Sequence, residues 1–81
     1  TRHRGDPRRE DARADLAVLN AREKEVAVAI GRGLTNAEIS AQHYLSLATV
    51  KGVVTQIFDK LGLTNRVQVA IKVHDAGWAD D

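Results

Sequence analysis

The 81-residue sequence has no cysteine, a single proline, and one residue each of Phe, Tyr and Trp. Without cysteine there are no disulfides, thiolate zinc sites or cysteine nucleophiles, a usage compatible with a reducing compartment. Hydrophobic residues still make up 43%, so the core must be assembled from Val, Ile, Leu and Ala, which favours close-packed helices. No apolar run approaches the ~20 residues of a membrane span, and the charged start adjoins no apolar stretch of the signal-peptide kind. The chain therefore reads as soluble, with a cytoplasmic location expected. A chain this short makes one domain, whose core is marginal unless its helices are well capped or it pairs with another chain.

Charge is present but nearly balanced, with 12 Lys and Arg against 11 Asp and Glu. That net of +1 is a weak electrostatic sign of a nucleic-acid partner. Residues 1–15, TRHRGDPRREDARAD, lack apolar periodicity and contain the proline. They read as a flexible charged linker or tail, and residues 16–81 as the folded domain.

Capping signals divide that domain into four helices. Asn20 with Glu23 forms a capping box, and the helix it opens runs through Val26 and Ile30 until Gly31 and Gly33 stop it. Thr35 with Glu38 is a second box, for a short helix ending near His43. Ser46 caps the third helix and Gly62 ends it. Thr64 caps the fourth, which carries Val67, Ala70 and Ile71 before Gly77. Short connections leave no room for a sheet, and the Tyr44–Ser46 spacer is the length of a helix-turn-helix corner.

At about 100° per residue, Val50, Val54, Ile57 and Leu61 gather on one side of the third helix. Ala48, Gly52, Thr55, Gln56 and Asp59 line the other, flanked by Thr49 and Lys51. A helix over Ser46–Leu61 is roughly 24 Å long, and the major groove of B-DNA admits one. Its N-terminus offers free amide donors suited to a phosphate, with the Ser46 and Thr49 hydroxyls beside them.

The segments LNAREKEVAVAIGRGLTNAEIS and LSLATVKGVVTQIFDKLGLTNRVQVA, through REKEV, GLTNAEIS, SLATVK, KLGL and NRVQVA together, resemble the LuxR/FixJ-type C-terminal helix-turn-helix domain of bacterial response regulators. The resemblance covers about residues 19–77. It implies an all-α, tetrahelical DNA-binding domain whose third helix enters the major groove and whose fourth helix forms the dimer contact on an inverted-repeat site. It also implies double-stranded DNA, a second copy of the chain, an upstream receiver or ligand-sensing domain and RNA polymerase as partners. By position, Thr49 and Lys51 match places that contact phosphate or base, and Gly52 and Thr55 match places that hold base-reading side chains. The sequence departs from the family at Val53, where His is frequent, at His43, where leucine is usual, and at Ala37, where a polar or basic residue is common.

Each of these positions also has a plainer reading. Lys51 on spacing alone is a solvated lysine, and Thr55 and Gln56 are ordinary exposed polar residues that are also able to reach a base edge. Arg66 either contacts phosphate or pairs with Glu23 or Glu25 to fix packing. His43, four residues after Ile39, is expected to lie on the same inner face of its helix. On the fourth helix, Val67, Ala70, Ile71 and His74 share one side and Val69, Val73 and Ala76 lie nearly opposite. The expectation is that one side meets the core and that Val69, Val73 and Ala76 meet a partner subunit, with Trp78 at the helix end or at that contact. No catalytic constellation emerges, the three histidines do not cluster as metal ligands, and no cofactor is expected. A helix-turn-helix fold used as a protein-interaction module, with DNA reading weakened, stays open as the alternative.

Overall fold

The computed structural model describes residues 7–79. They form five α-helices, with no strand among the described residues: α1 Pro7–Leu16, α2 Ala21–Gly31, α3 Asn36–His43, α4 Leu47–Leu61 and α5 Arg66–Asp75. The four helices expected from sequence are α2 to α5. The fifth, α1, occupies most of the segment read as a flexible tail, and that reading is corrected for residues 7–15.

The reason lies in two residues. Ala12 and Leu16 are four positions apart, so they share a helix face, and both are buried in the core. The charged residues around them hide this short stripe in the sequence, yet several of those charges also hold the helix down. Arg13 Nε donates to the Ala76 carbonyl at 2.8 Å, and Lys72 Nζ donates to Asp15 Oδ2 at 2.6 Å. Pro7 stands at the start of the helix, where a missing N–H is tolerated. The expectation of a flexible tail at residues 1–6 lies outside the described residues.

Capping follows the sequence closely. Asn20 Oδ1 accepts from the Glu23 amide at 2.8 Å and Glu23 Oε1 accepts from the Asn20 amide at 2.9 Å. Thr35 and Glu38 make the same reciprocal pair. At α5 the cap is Asn65 rather than Thr64, because Gln68 three residues on completes a capping box with it. The same Gln68 carboxamide oxygen also accepts from the Thr64 amide at 2.8 Å.

Gly31 does not stop α2. It is the last residue of the helix, it is buried, and a Cβ placed on it would lie 2.6 Å from Val73 Cγ1. Its role is to let α2 and α5 approach closely, while the turn beyond is made by Gly33 at φ 84°. α2 packs against both α4 and α5, α3 against α4, and α1 against α5. Leu16, Val26, Ile39, Val50, Ile57, Val69 and Val73 are fully enclosed between them.

Glu23 is a charged side chain buried within this core. Its Oε1 accepts from Lys60 Nζ at 2.8 Å, joining α2 to α4. That hydrogen bond first, and the one from the Asn20 amide second, hold the carboxyl below the usual glutamate value against the opposing effect of burial. Sequence reading had offered Glu23 or Glu25 as partners for Arg66; the buried partner of Glu23 is Lys60 instead. Among the described residues no helix is long and apolar enough to cross a membrane.

Candidate nucleic-acid interface

The α3–α4 corner fixes how α4 is presented. Ile39 of α3 is buried, and the helix ends in Tyr44, whose amide donates to the Ser40 carbonyl. The Leu45 amide donates to the same carbonyl at 3.0 Å, and Ser40 Oγ donates back to the Leu45 carbonyl. Tyr44 adopts the left-handed conformation, φ 56° and ψ 41°. The other positive-φ residues among those described are Gly33, Gly62 and Gly77. A residue with a Cβ in this conformation costs about 1–2 kcal/mol.

Ser46 then caps α4, accepting from the Thr49 amide at 3.0 Å while donating its own hydroxyl to Thr49 Oγ1 at 2.9 Å. The helix that follows separates into two faces as its spacing predicts. Val50, Val54 and Ile57 are buried, with Leu61 and Phe58 packed against the core. Ser46, Ala48, Thr49, Lys51, Gly52, Thr55 and Gln56 are all exposed. A Cβ on Gly52 would meet nothing within 4 Å, so no contact among the described residues requires a glycine there.

Chemistry along this outer face is sparse. Lys51 has no ion-pair partner among the described residues, which leaves its ammonium free for an anion. Thr55 Oγ1 donates to the Lys51 carbonyl at 3.1 Å. Its proton is thereby occupied, and what it offers outward is an acceptor oxygen and a methyl group. Gln56 keeps a carboxamide able to donate and accept at once. Leu47 continues the Val50 and Val54 stripe by spacing but is exposed, standing in the first turn of α4.

Arg66 is engaged inside the chain. Nη1 donates to Asn36 Oδ1 at 2.6 Å and Nη2 to the Leu34 carbonyl at 2.7 Å. The guanidinium thus ties α5 to the first turn of α3, and neither Glu23 nor Glu25 is its partner. His43, expected on the packed inner face, is only half-buried, with Nδ1 4.0 Å from Glu25 Oε1. The roughly 40° by which four residues overshoot one helical turn carries it off the Ile39 line to the edge of α3, beside Glu25 of α2.

The expected partner contact of Val69, Val73 and Ala76 is overturned. All three are fully buried in the core of their own chain, because α5 packs against α1 as well as α2. The second apolar side of α5 is satisfied by the helix that the sequence concealed. What α5 exposes instead is Val67 at 66% and Ile71 at 56%. Trp78 packs at the edge of the core, with Lys24 Nζ 5.9 Å from its ring centre.

A short helix, a three-residue corner and a second helix with a free polar face define a helix-turn-helix domain. Residues 17–73 match the family model described as bacterial regulatory proteins, luxR family. The chain belongs to this family, that of DNA-binding domains of transcription regulators. It is 41% identical over 59 residues to a probable transcriptional regulatory protein, SgaR, of Hyphomicrobium methylovorum, covering 73% of this chain and 28% of that protein. It is 42% identical over 57 residues to the transcriptional regulatory protein LnrK of Bacillus subtilis, covering 70% and 26%. It is 37% identical over 60 residues to the response regulator protein VraR of Staphylococcus aureus, covering 73% and 29%. The chain therefore spans little more than a quarter of the length of these relatives. No solved structure matches it.

Proposed function

We propose that this chain is the output domain of a regulator that binds inverted-repeat operator DNA as a dimer, with α4 lying in the major groove. The observation that carries the reading is the outer face of α4. Of the eight exposed residues from Ser46 to Gln56, all but Leu47 are short, polar or basic, and the core uses none of their side chains. A helix with such a face enters a groove without steric resistance.

Within this reading the residues divide by task. Ser46 and Thr49 present the α4 N-terminus to a phosphate, and Lys51 supplies the charge that fixes register. Ala48 and Gly52 let the backbone approach the groove. Thr55, as acceptor and methyl, and Gln56, as a two-way carboxamide, read base edges. Arg66 supports the interface indirectly, by holding α5 against the start of α3. Val67 and Ile71, rather than the buried valines, form the dimer contact. The likeness to a protein named as a response regulator supports an upstream receiver or sensor domain in the full-length protein.

Titration with duplex DNA at two salt concentrations tests the proposal. Lys51→Ala is expected to weaken binding to all duplexes alike and to lower the salt slope by about one. An unchanged slope removes Lys51 from the interface. A second reading, a protein-interaction module, is favoured by the scarcity of cations on this face, where Lys51 is followed about two turns on by the acidic Asp59. Absence of any binding at low salt selects it.

A further inference from the structure

We infer that Tyr44 is a phosphate-contacting residue at the helix-turn-helix corner, its phenolic hydroxyl donating to the DNA backbone beside the α4 N-terminus. The inference rests on the docking of α4 proposed above and adds to it a residue that neither periodicity nor the matched motifs mark.

Two independent observations point outward from this position. Tyr44 is a non-glycine residue held in the left-handed conformation, where the equivalent end of α4 uses Gly62. It is also 95% exposed, so the ring recovers no burial to set against that conformation. No hydrogen bond, ion pair or ring contact involves its side chain among the described residues. The corner itself is closed by Ser40, which bonds the Tyr44 amide and both backbone groups of Leu45 and leaves the phenol no role among the described residues. For folding, glycine serves this position better.

Place narrows the partner. Tyr44 lies two residues before the α4 cap, and Leu47, three residues on, is also exposed. When a helix is seated in the major groove by its N-terminal half, the corner that precedes it faces the flanking sugar-phosphate strand. A tyrosine suits that strand: the hydroxyl donates to a phosphate oxygen and the ring covers the adjoining sugar. The phenol is neutral, so its contact displaces no counterion. Its loss must weaken binding without changing the salt dependence, the reverse of what Lys51 does.

Tyr44→Phe and Tyr44→Gly, titrated with a long random-sequence duplex at low and moderate salt, decide the matter. Phe is expected to weaken binding about three- to tenfold, the range for one lost hydrogen bond, with an unaltered salt slope. Gly is expected to weaken it at least as much while raising the melting temperature of the domain, which separates lost contact from lost fold. If the wild-type chain binds and Phe binds equally well, the hydroxyl contact is overturned and the proposed function stands. A wild-type chain that fails to bind overturns both.

Discussion

On the seam between α2 and α5 a single methyl group added at Gly31 would lie 2.6 Å from Val73, whereas the same group added at Gly52 on α4 would meet nothing within 4 Å. These two glycines stand in helices of one small domain, and their neighbours explain the difference. The seam is fixed from inside: Gly31 sets the helix separation, Arg66 ties α5 across to Asn36 and Leu34, and the Glu23–Lys60 pair joins the neighbouring α2–α4 contact. Among the described residues the outer face of α4 makes only the hydrogen bonds of its own cap and first turns, with none to another helix. Residue choice on the seam reflects packing, and on α4 it is free to answer to whatever binds there.

Substitutions can break or sharpen that contrast. The largest effect is expected from Gly31→Ala, which drives a methyl group into the fully buried, β-branched Val73 and destabilises the domain by about 2–3 kcal/mol, read as a lowered denaturant midpoint. A loss below about half that would mean the seam yields more easily than its geometry suggests. Gly52→Ala should act oppositely, stabilising the domain by about 1 kcal/mol, since alanine is the better helix former and the space is open. The same variant should bind duplex DNA more weakly if the groove approaches the backbone at this point, and unchanged binding would reduce Gly52 to a tolerated substitution. Ile71→Lys should leave stability within about 0.5 kcal/mol, as expected of an exposed site. Sedimentation on DNA carrying two half-sites should then show one bound copy in place of two, and persistence of the pair would move the dimer contact elsewhere.

The parts legible in sequence were those encoded within a few residues. Asn20 with Glu23, Thr35 with Glu38, and Ser46 by itself are local capping signals and placed three helix starts correctly. The Val50, Val54 and Ile57 stripe has helical spacing and identified the buried side of α4 together with its outer face. What stayed hidden depended on partners distant in the chain. α1 carries only Ala12 and Leu16 as inward residues, too few to show a period, and its docking relies on contacts to residues beyond position 70. Missing α1 led directly to the misassignment of Val69, Val73 and Ala76, since an unseen helix left one side of α5 without a neighbour. Arg66 could not be placed for a similar reason: both of its acceptors lie some thirty residues away. The exposure of Tyr44 is likewise a property of the corner's geometry rather than of any pattern.

The hydrogen bond from Arg13 to the Ala76 carbonyl spans 63 positions of an 81-residue chain. Chain ends ordinarily fray first, each independently of the other. Here α1 and the last turn of α5 clasp one another, and a Cβ added to Gly77 would lie 3.3 Å from the Arg9 guanidinium. Loosening α1 therefore unfastens the turn after α5, so a pull on the N-terminal side of α1 is felt first at that turn and along α5, and only afterwards at α4.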